Sequence, residues 1–379
     1  MKISLLGTDF VSDNRGCGAL GYSAIEILKK ISEERGEKLE VYAVVFRVEP
    51  KPQISDVQIE CIEIKPKKMS YWKKCKKIFQ QCDFVIDFTG GDSFADIYGF
   101  KRFLLASLLK ELAINSKAKF IMAPQTIGPF RGKFAKLWAK RIMRKSDVCF
   151  VRDSLSEAYV KNEFKISPYI TTDVAFSLPY VVTEKQITDK IQVGINVSGL
   201  LWTANTGLKT QKNLRLDYRS YIMTLLEDLL RNEAYEVFLI PHVFNKTDTR
   251  GENDLQACRE LQEKYPEVKI ISEFETPMEA KTLIAQMDVF VGARMHATIA
   301  SYSTGVATIP VAYSRKFLGL FGDFGYEYMI DMAKDDTQDA LQKTKCWIED
   351  YKVLEAYIKC NREKVTEKQQ VFYKVIKGL

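Results

Sequence analysis

Short apolar runs alternate with longer amphipathic stretches along the first half of the chain. The apolar runs predict strands at Ile3–Leu6, Val41–Phe46, Gln58–Ile64, Phe84–Phe88, Phe120–Ala123 and Val148–Val151. Between them, apolar residues recur at helical spacing and predict helices at Gly18–Arg35, Phe100–Asn115 and Lys133–Lys145. Such an alternation of strand and helix is typical of a mostly parallel sheet that carries helices on both faces.

The alternation stops around residues 177–190 and then starts again. Further strands are predicted at Gln192–Asn196, Val237–Pro241, Val268–Ile271, Val289–Gly292 and Thr308–Val311. Helices are predicted near Tyr218–Asn232, Asp254–Lys264, Met278–Gln286 and Ala297–Thr304. We therefore predict an α/β protein with two Rossmann-like, doubly wound domains, residues 1–180 and 190–335, that face a cleft. A charged helical tail follows over residues 336–379 and is expected to pack against one of the two domains.

Composition and charge narrow the class of protein. The chain has 379 residues, with 56 Lys and Arg against 49 Asp and Glu, which gives a net charge of +7. Its 46% of hydrophobic residues excludes a collagen-like, disordered or disulfide-stapled protein. The basic excess is too dilute to indicate a nucleic-acid partner, and no nucleic-acid motif accompanies it. No apolar stretch approaches the roughly 18 residues of a membrane-spanning helix.

The cysteines bear on metal binding and on the compartment. None of the eight belongs to a C-x-x-C pair, and the chain has only two histidines, so the ligand inventory suggests no metal site. Residues 1–10 lack the apolar core of a signal peptide. Scattered thiols in a chain without an export signal indicate the reducing cytoplasm.

In sheets of this kind ligands bind at the carboxyl ends of strands, so the residues just after each strand are the candidates for function. The segment Asn14–Gly18 has two glycines that let a ligand approach the backbone, and the helix after it offers N–H groups to an anion. A tight turn without a ligand explains the same segment equally well. After Phe84–Phe88, Gly90 and Gly91 precede Asp92, which either presents a carboxylate to the cleft or caps a helix.

Later strand ends of the first domain also carry polar residues. Gln125 and Thr126 lie in a connection made rigid by prolines, where both side chains are suited to hydrogen-bond a sugar. Arg152 meets a helix N-terminus, which favours an anion, although a salt bridge would explain an arginine there as well. Asp173 is either a helix cap or a polar contact to a ligand.

The most distinctive group of residues follows the strand Val289–Gly292. Arg294 and His296 stand at the start of a helix, and Lys316 follows the next strand along the chain. Consecutive strands are usually neighbours in a sheet, so these three side chains are expected to converge into a pocket for a small anion with two or three charges. A purely structural histidine is the alternative. The other histidine, His242, also follows a strand but has less distinctive neighbours.

Two basic stretches lie away from these strand ends. Lys65–Lys77 contains seven lysines around Tyr71 and Trp72, and Arg131–Lys145 contains seven basic residues. The apolar residues of the second stretch, at near-helical spacing, are Phe134, Leu137, Trp138 and Ile142. Each stretch is either a solvated face over an apolar stripe directed at the core or a peripheral contact with an anionic membrane or a lipid-linked substrate.

Taken in order, the strand-end motifs resemble the polysaccharide pyruvyl transferase family. The matching segments are Asn14–Gly16, Gly90–Phe94, Pro124–Pro129, Arg152–Ser156, Thr172-Asp173, Gly292–His296 and Ser314–Lys316. No single motif is decisive, but their order and the position of each motif after a strand make the set specific. The resemblance covers most of the chain.

This resemblance implies a fold like that of the GT-B glycosyltransferases and a reaction with phosphoenolpyruvate as the donor. The acceptor is a hydroxyl pair on a sugar of a surface polysaccharide, or of its lipid-linked or polymeric precursor. The products are a pyruvate ketal and phosphate, and neither a cofactor nor a metal is required. Phosphoenolpyruvate is expected on the second domain and the acceptor on the first.

The resemblance also implies roles for single residues. His296 is expected to protonate the methylene carbon of phosphoenolpyruvate, while Arg294 and Lys316 hold its anionic groups. Arg152 is expected to assist, and Asp92 or Asp173 to take the proton of an acceptor hydroxyl. The other expected substrate-binding residues are Asn14, Gly91 and Gln125.

Two other functions fit the same pattern of strand-end residues. A GT-B glycosyltransferase would use the helix start at Arg294 for the diphosphate of a nucleotide sugar. A non-catalytic glycan-binding protein of polysaccharide assembly would share the fold, although it would not need Arg294, His296 and Lys316 together.

Overall fold

The computed structural model divides the chain into two compact units. It describes residues 1–10, 12–49, 52, 54–91, 93–185, 188–203, 214–244 and 252–379. Unit 1 consists of residues 1–12, 17–178 and 365–379, and unit 2 consists of residues 13–16 and 179–364. Each unit contains one parallel sheet with helices between its strands, so the prediction of two Rossmann-like α/β domains is confirmed.

Unit 1 is built on a seven-stranded parallel sheet. Its strands are β1 (Lys2–Leu6), β2 (Glu40–Val45), β3 (Gln58–Glu63), β4 (Phe84–Asp87), β5 (Lys119–Met122), β6 (Val148–Val151) and β7 (Tyr169–Ile170). Its helices are α1 (Arg15–Glu34), α2 (Met69–Phe79), α3 (Phe100–Ile114), α4 (Lys133–Lys145) and α5 (Ser154–Phe164), although the first two residues of α1 belong to unit 2. The strand order is β3-β2-β1-β4-β5-β6-β7. Strands β4 and β6 are buried on both faces, which explains why they are continuous apolar runs.

Unit 2 repeats this plan with six strands. They are β8 (Ile191–Asn196), β9 (Tyr235–Leu239), β10 (Lys269–Ile270), β11 (Val289–Gly292), β12 (Ala307–Ala312) and β13 (Ile330–Asp331). The helices are α6 (Gly199–Trp202), α7 (Tyr218–Leu230), α8 (Asp254–Lys264), α9 (Pro277–Ile284), α10 (Met295–Thr304), α11 (Arg315–Gly322) and α12 (Thr337–Glu349). The strand order is β10-β9-β8-β11-β12-β13. In both units the order reverses beside the first strand, next to β4 in unit 1 and next to β11 in unit 2.

The predicted helical tail is confirmed, and it contributes to both units. It consists of α12 and α13 (Tyr351–Gly378). Helix α12 packs on unit 2, where Thr344 shares a 2.7 Å hydrogen bond with the hydroxyl of Tyr221. The last part of α13 belongs to unit 1, and there the ring of Phe372 meets that of Phe150 with the centroids 5.1 Å apart.

The two basic stretches correspond to helices α2 and α4 of unit 1. In the first stretch Tyr71 is buried, and the indole N–H of Trp72 donates to the carbonyl of Pro66 at 2.9 Å. In the second stretch Phe134 and Leu137 are exposed, whereas Ile142 is buried, so these residues do not form a single stripe directed at the core. Within the described residues, no helix has the length and apolar character needed to cross a bilayer.

A buried ion pair fixes the end of β4. The ammonium of Lys110, on α3, lies 2.9 Å from the carboxylate of Asp87, and both side chains are almost completely buried. The hydroxyl of Thr89 donates to Asp87 at 2.7 Å and accepts from Lys110 at 3.0 Å. Burial lowers the pKa of Lys110, and the neighbouring carboxylate of Asp87 opposes that shift. The loop after β4 is therefore tied to α3 by charge.

Replacing Lys110 by methionine is expected to lower the free energy of unfolding by about 3–5 kcal/mol, because Asp87 would keep a buried charge without a partner. The double variant D87N/K110M should regain a large part of that loss, since no charge then remains. Chemical denaturation followed by circular dichroism measures both effects. Lys101→Met, at an exposed position of the same helix, is the control and should change stability by no more than about 0.5 kcal/mol. Equal losses for the two lysine variants would contradict the expectation.

Candidate active site

Several strand ends of unit 2 that carry polar residues lie at or beside the point where the strand order reverses. Strand β8 pairs with β9 on one side and with β11 on the other, and β12 follows β11. In open α/β sheets, ligands bind at the carboxyl ends of the strands at this point of reversal. Arg294 and His296 follow β11, His242 follows β9, and Lys316 follows β12.

Arg294 is fixed on both its backbone and its side chain. Its N–H donates to the side-chain oxygen of Asn196, at the end of β8, at 2.9 Å. Its guanidinium lies 2.8 Å from the carboxylate of Asp254 and donates to the carbonyl of Glu252 at 3.0 Å. Burial alone would lower the pKa of Arg294, but the pairing with Asp254 outweighs it and raises the pKa above its usual value. The arginine is therefore a permanent, immobile cation.

Asp254 connects three of the strand ends. Besides pairing with Arg294, its carboxylate accepts the N–H of Gly199 at 2.8 Å and those of His242 and Val243 at 3.1 Å each. It is completely buried at the start of α8. The sequence did not indicate this residue, because nothing in its neighbourhood along the chain distinguishes it from an ordinary helix-start aspartate. Asn196, in contrast, is the last residue of a predicted strand, and the carboxyl ends of strands are where ligand-binding residues are expected.

His296 lies against the backbone of Gly16. A Cβ atom on Gly16 would be only 2.3 Å from Nδ1 of His296, so this position accepts only glycine without displacing the imidazole. Residues 13–16 belong to unit 2, where Asn14 forms a bridge with Val243 and its side-chain oxygen accepts the N–H of Gly16 at 3.0 Å. The structure thus brings Asn14 and His296, two predicted site residues, to the same strand ends.

His242 is a buried, neutral imidazole in the same group. Its side chain is 3% exposed, and neither ring nitrogen has a hydrogen-bond partner among the residues that the structure describes. Burial first, and then the positive charges of His296, Arg15 and Arg294, lower its pKa to about 3. Four potentially cationic side chains therefore lie near one another here, and burial keeps His242 uncharged.

Lys316 stands at the neighbouring strand end. It is the second residue of α11, which begins after β12, and β12 pairs with β11 in register from Val289–Ala307 to Gly292–Pro310. Its side chain is partly exposed. Arg294, His296 and Lys316 therefore lie at one edge of one sheet, on adjacent loops, and this edge is suited to a small anion.

Arg152 and Asp173 form a buried ion pair in unit 1. The guanidinium nitrogen Nη1 of Arg152 lies 2.6 Å from Oδ2 of Asp173, and its Nε donates to the hydroxyl of Thr126 at 3.0 Å. The other carboxylate oxygen of Asp173 accepts the N–H of Ala175 at 2.9 Å, so Asp173 also caps a short 3-10 helix. The structure brings these two predicted site residues together as partners, with almost no exposed surface.

Among the buried polar atoms of unit 1 that have no hydrogen-bond partner in the described part of the chain, three follow adjacent strands. They are Oε1 of Gln125, Nη2 of Arg152 and Oγ1 of Thr172. The amide nitrogen of Gln125 is used, since it donates to the carbonyls of Asp87 and Ala123 at 3.0 and 3.2 Å. The three atoms follow β5, β6 and β7, which are adjacent strands. Buried polar atoms are nearly always satisfied in native proteins, so this edge is suited to a polar ligand or to ordered water.

The glycine loop after β4 completes the strand ends of unit 1. Gly91 has a positive φ of 74°, which a residue with a side chain adopts only with strain. Its N–H donates to the carbonyl of Phe88 at 3.2 Å, which closes the loop. Asp92, the predicted carboxylate of this loop, lies outside the described residues.

Comparisons with known proteins give a family and a fold. A family model described as polysaccharide pyruvyl transferase matches residues 14–315. A comparison with curated proteins finds no match.

Solved structures resemble the chain over almost its full length. UDP-N-acetylglucosamine 2-epimerase from Neisseria meningitidis, bound to UDP-GlcNAc, has a TM-score of 0.61 at 10% identity, covering 99% of each chain. A glycosyltransferase from Rickettsia africae has a TM-score of 0.60 at 12% identity, covering 99% of this chain and 98% of that one. Sucrose-phosphate synthase from Thermosynechococcus elongatus has a TM-score of 0.59 at 11% identity, covering 100% and 98%. At these identities the likeness shows the fold alone, that of the GT-B glycosyltransferases and epimerases.

The charge state of His242 can be measured directly, because the chain has only two histidines. We expect its imidazole to stay neutral down to about pH 4, since burial and the nearby cations hold its pKa at about 3. In the unfolded chain the same group takes up a proton near pH 6.5, so the free energy of unfolding should fall as the pH drops from about 6.5 towards 3. Imidazole NMR across a pH titration, with the resonances assigned through His242→Gln, checks the first expectation. A His242 signal that titrates near pH 6.5 would contradict it.

Proposed function

Since the chain belongs to the polysaccharide pyruvyl transferase family, we propose that this transferase moves the enolpyruvyl-derived group of phosphoenolpyruvate onto a sugar of a surface polysaccharide or of its precursor. The products would be a pyruvate ketal and inorganic phosphate. The observation that carries the proposal is the cationic group of unit 2 at the point of strand reversal, where His296, Arg15 and Arg294 all act electrostatically on the buried His242.

The charge of phosphoenolpyruvate fits this group of side chains. A carboxylate and a phosphate require permanent cations, and the proton that must reach the methylene carbon requires an acid within contact distance. Asp254 balances part of the charge of Arg294 and holds it still, so we assign Arg294 to orienting the donor and Lys316 to contacting its phosphate. The helix N-termini at Met295 and Arg315 add partial positive charge at the same edge.

In the proposed reaction His296 gives its proton to the methylene carbon, which becomes a methyl group and leaves an oxocarbenium-like centre at the neighbouring carbon. The first acceptor hydroxyl forms a C–O bond to that centre as a carboxylate base takes its proton, and exchange with solvent returns this proton from the base to the imidazole. The bond to the phosphate oxygen then breaks, and the second hydroxyl closes the ketal. Its proton leaves with the phosphate, so the atoms and charges balance without an oxidant or a metal.

We assign the acceptor sugar to unit 1. Among the unpartnered atoms, the oxygen of Gln125 can accept, Nη2 of Arg152 can donate and the hydroxyl of Thr172 can do either, which suits the hydroxyls of a sugar. Two carboxylates are alternatives for the base that receives the hydroxyl proton, Asp92 and Asp173. Asp173 is already engaged by Arg152, so in that case the pair would act as one unit.

Two further substrate contacts and the compartment belong to the same proposal. Asn14 and Gly91 are assigned to contacts in which the loop backbone approaches the substrates, because both lie in loops closed by local hydrogen bonds.

We place the reaction in the cytoplasm, whose reducing conditions suit a chain with eight cysteines and no C-x-x-C pair.

Binding of the donor should be visible as thermal stabilisation. Phosphoenolpyruvate is expected to raise the unfolding temperature by several degrees, because a ligand that binds only the folded state stabilises it by mass action. UDP- and GDP-sugars should leave the temperature unchanged, and release of phosphate should require both phosphoenolpyruvate and a sugar acceptor. Stabilisation by a nucleotide sugar alone would overturn the proposal in favour of a glycosyltransferase. Background phosphate release with lipid-linked and nucleotide-linked acceptors would favour a glycan-binding protein.

Two substitutions separate proton transfer from donor binding. His296→Gln should lower kcat by about 10²–10⁴-fold, the usual contribution of a general acid. Lys316→Ala should mainly raise KM for phosphoenolpyruvate, by about tenfold or more, because it removes a charged hydrogen-bond donor. Lys334→Ala, at a side chain that is 80% exposed, is the matched control and should change neither constant. Circular dichroism verifies folding, and near-normal turnover of either test variant would remove that residue from the mechanism.

A further inference from the structure

An exposed apolar surface lies on unit 1, at the starts of α3 and α4. It is formed by Phe100, Phe134 and Leu137, which are 56%, 59% and 70% exposed, and we call these three residues the apolar patch. The ring centroids of Phe100 and Phe134 are 6.3 Å apart, and Leu137 lies one helical turn beyond Phe134. The carboxylate of Asp96 accepts the N–H groups of Arg131 and Gly132 at 2.9 and 2.8 Å, which holds the segment before α3 against the start of α4.

The apolar patch does not contribute to the core. Helix α4 packs on unit 1 through its opposite side, where Ala135, Ala139, Ile142 and Met143 are buried. Phe134 and Leu137 therefore point away from the protein on a helix whose packing is already complete. Exposed apolar side chains that stand side by side in this way mark an interaction surface.

Basic side chains surround the apolar patch. Helix α4 has six basic residues and no acidic residue in its sequence KFAKLWAKRIMRK. Lys133, Lys140 and Arg144 share the side of the helix that carries Leu137, at separations of four, three and seven residues. Within the described residues only part of this charge is balanced, since Lys136 pairs with Glu163 and Arg141 pairs with Glu111. We call the basic residues of α4 the basic face.

We propose that the apolar patch and the basic face dock unit 1 onto an anionic phospholipid bilayer. Phe134, Leu137 and Phe100 would enter the boundary between headgroups and acyl chains, while the lysines and arginines contact lipid phosphates. Docking would hold the chain at the inner face of the membrane, where lipid-linked sugars are accessible. This inference goes beyond the proposed reaction and can be tested without any substrate.

The charge of α4 favours a bilayer over a second copy of this chain. A symmetric contact through this surface would bring the basic face of one copy against that of the other, and like charges oppose such an arrangement. An anionic bilayer instead offers negative charge over the whole surface and an apolar phase immediately below it.

The other basic stretch, on α2, has lysines without an apolar patch. Tyr71 is buried, Trp72 is engaged by Pro66, and Lys65 and Lys74 pair with Glu63 and Glu60. Met69 is its exposed apolar residue, at 70%. The stretch Lys65–Lys77 is therefore a control that has seven basic residues, as Arg131–Lys145 has, and that also belongs to unit 1.

Co-sedimentation of the full chain with lipid vesicles tests the inference. We expect binding to vesicles of phosphatidylcholine mixed with phosphatidylglycerol, weak binding to phosphatidylcholine alone, and loss of binding as the salt concentration rises. Phe134→Ser/Leu137→Ser should reduce partitioning at least about tenfold. Lys133→Gln/Lys140→Gln should reduce it about fivefold per residue. All of these positions are on the surface, so the variants should unfold like the parent chain.

The control variants are Met69→Ser and Lys73→Gln/Lys76→Gln, on α2, and they should bind the anionic vesicles like the parent chain. Equal losses for the α2 and α4 variants, or equal binding to neutral and anionic vesicles, would overturn the inference. So would sedimentation velocity showing a dimer that the Phe134→Ser/Leu137→Ser substitutions dissociate, because the patch would then serve self-association. Thermal stabilisation by phosphoenolpyruvate should be the same in every variant, so failure of docking and failure of the proposed reaction give different results.

Discussion

A single buried carboxylate, that of Asp254, determines how the strand ends of unit 2 are arranged. It receives N–H groups from the loops after β8 and β9 and the guanidinium of Arg294 after β11. A charge without exposed surface is tolerated only when donors surround it, so these loops have little freedom to move independently. His296, two residues beyond Arg294, is therefore located relative to the sheet before any ligand arrives, which is the preorganisation that electrostatic catalysis needs.

Buried ion pairs also fix the strand ends of unit 1, where several buried polar atoms have no partner in the part of the chain that the structure describes. The pairs Arg152–Asp173 and Asp87–Lys110 fix the loops after β6 and β4. Next to them, Gln125 and Thr172 each retain a buried oxygen without a partner among the described residues. Each such atom costs about 1–3 kcal/mol, which the hydroxyls of a bound sugar would offset. Rigid charge pairs beside unsatisfied oxygens are what a site for a neutral, hydroxyl-rich ligand requires.

The sequence predicted the fold and the strand-end residues for one physical reason. Strands buried on both faces are continuous apolar runs, so their ends, and with them Arg294 and His296, were visible. The partners of these residues could not be identified from the sequence, because Asp254 lies forty residues from Arg294 along the chain. A buried Lys110 in mid-helix has the same sequence signature as a solvated one. Phe134 and Leu137 were grouped with Ile142 by spacing alone, although only tertiary packing decides which side of a helix is covered.

Each unit is assembled from separate segments of the chain, and this limits how the units can be exchanged between proteins. Unit 2 includes residues 13–16, which precede most of unit 1 along the chain. Unit 1 in turn includes Val365–Leu379, which follow the last residue of unit 2. A gene fusion that exchanges one half for that of a relative at the segment around residue 180 would separate Gly16 from His296 and Phe372 from Phe150. Exchanging unit 2 as a whole would take two separate segments and exchanging unit 1 would take three, so the two units are interleaved rather than consecutive pieces of the chain.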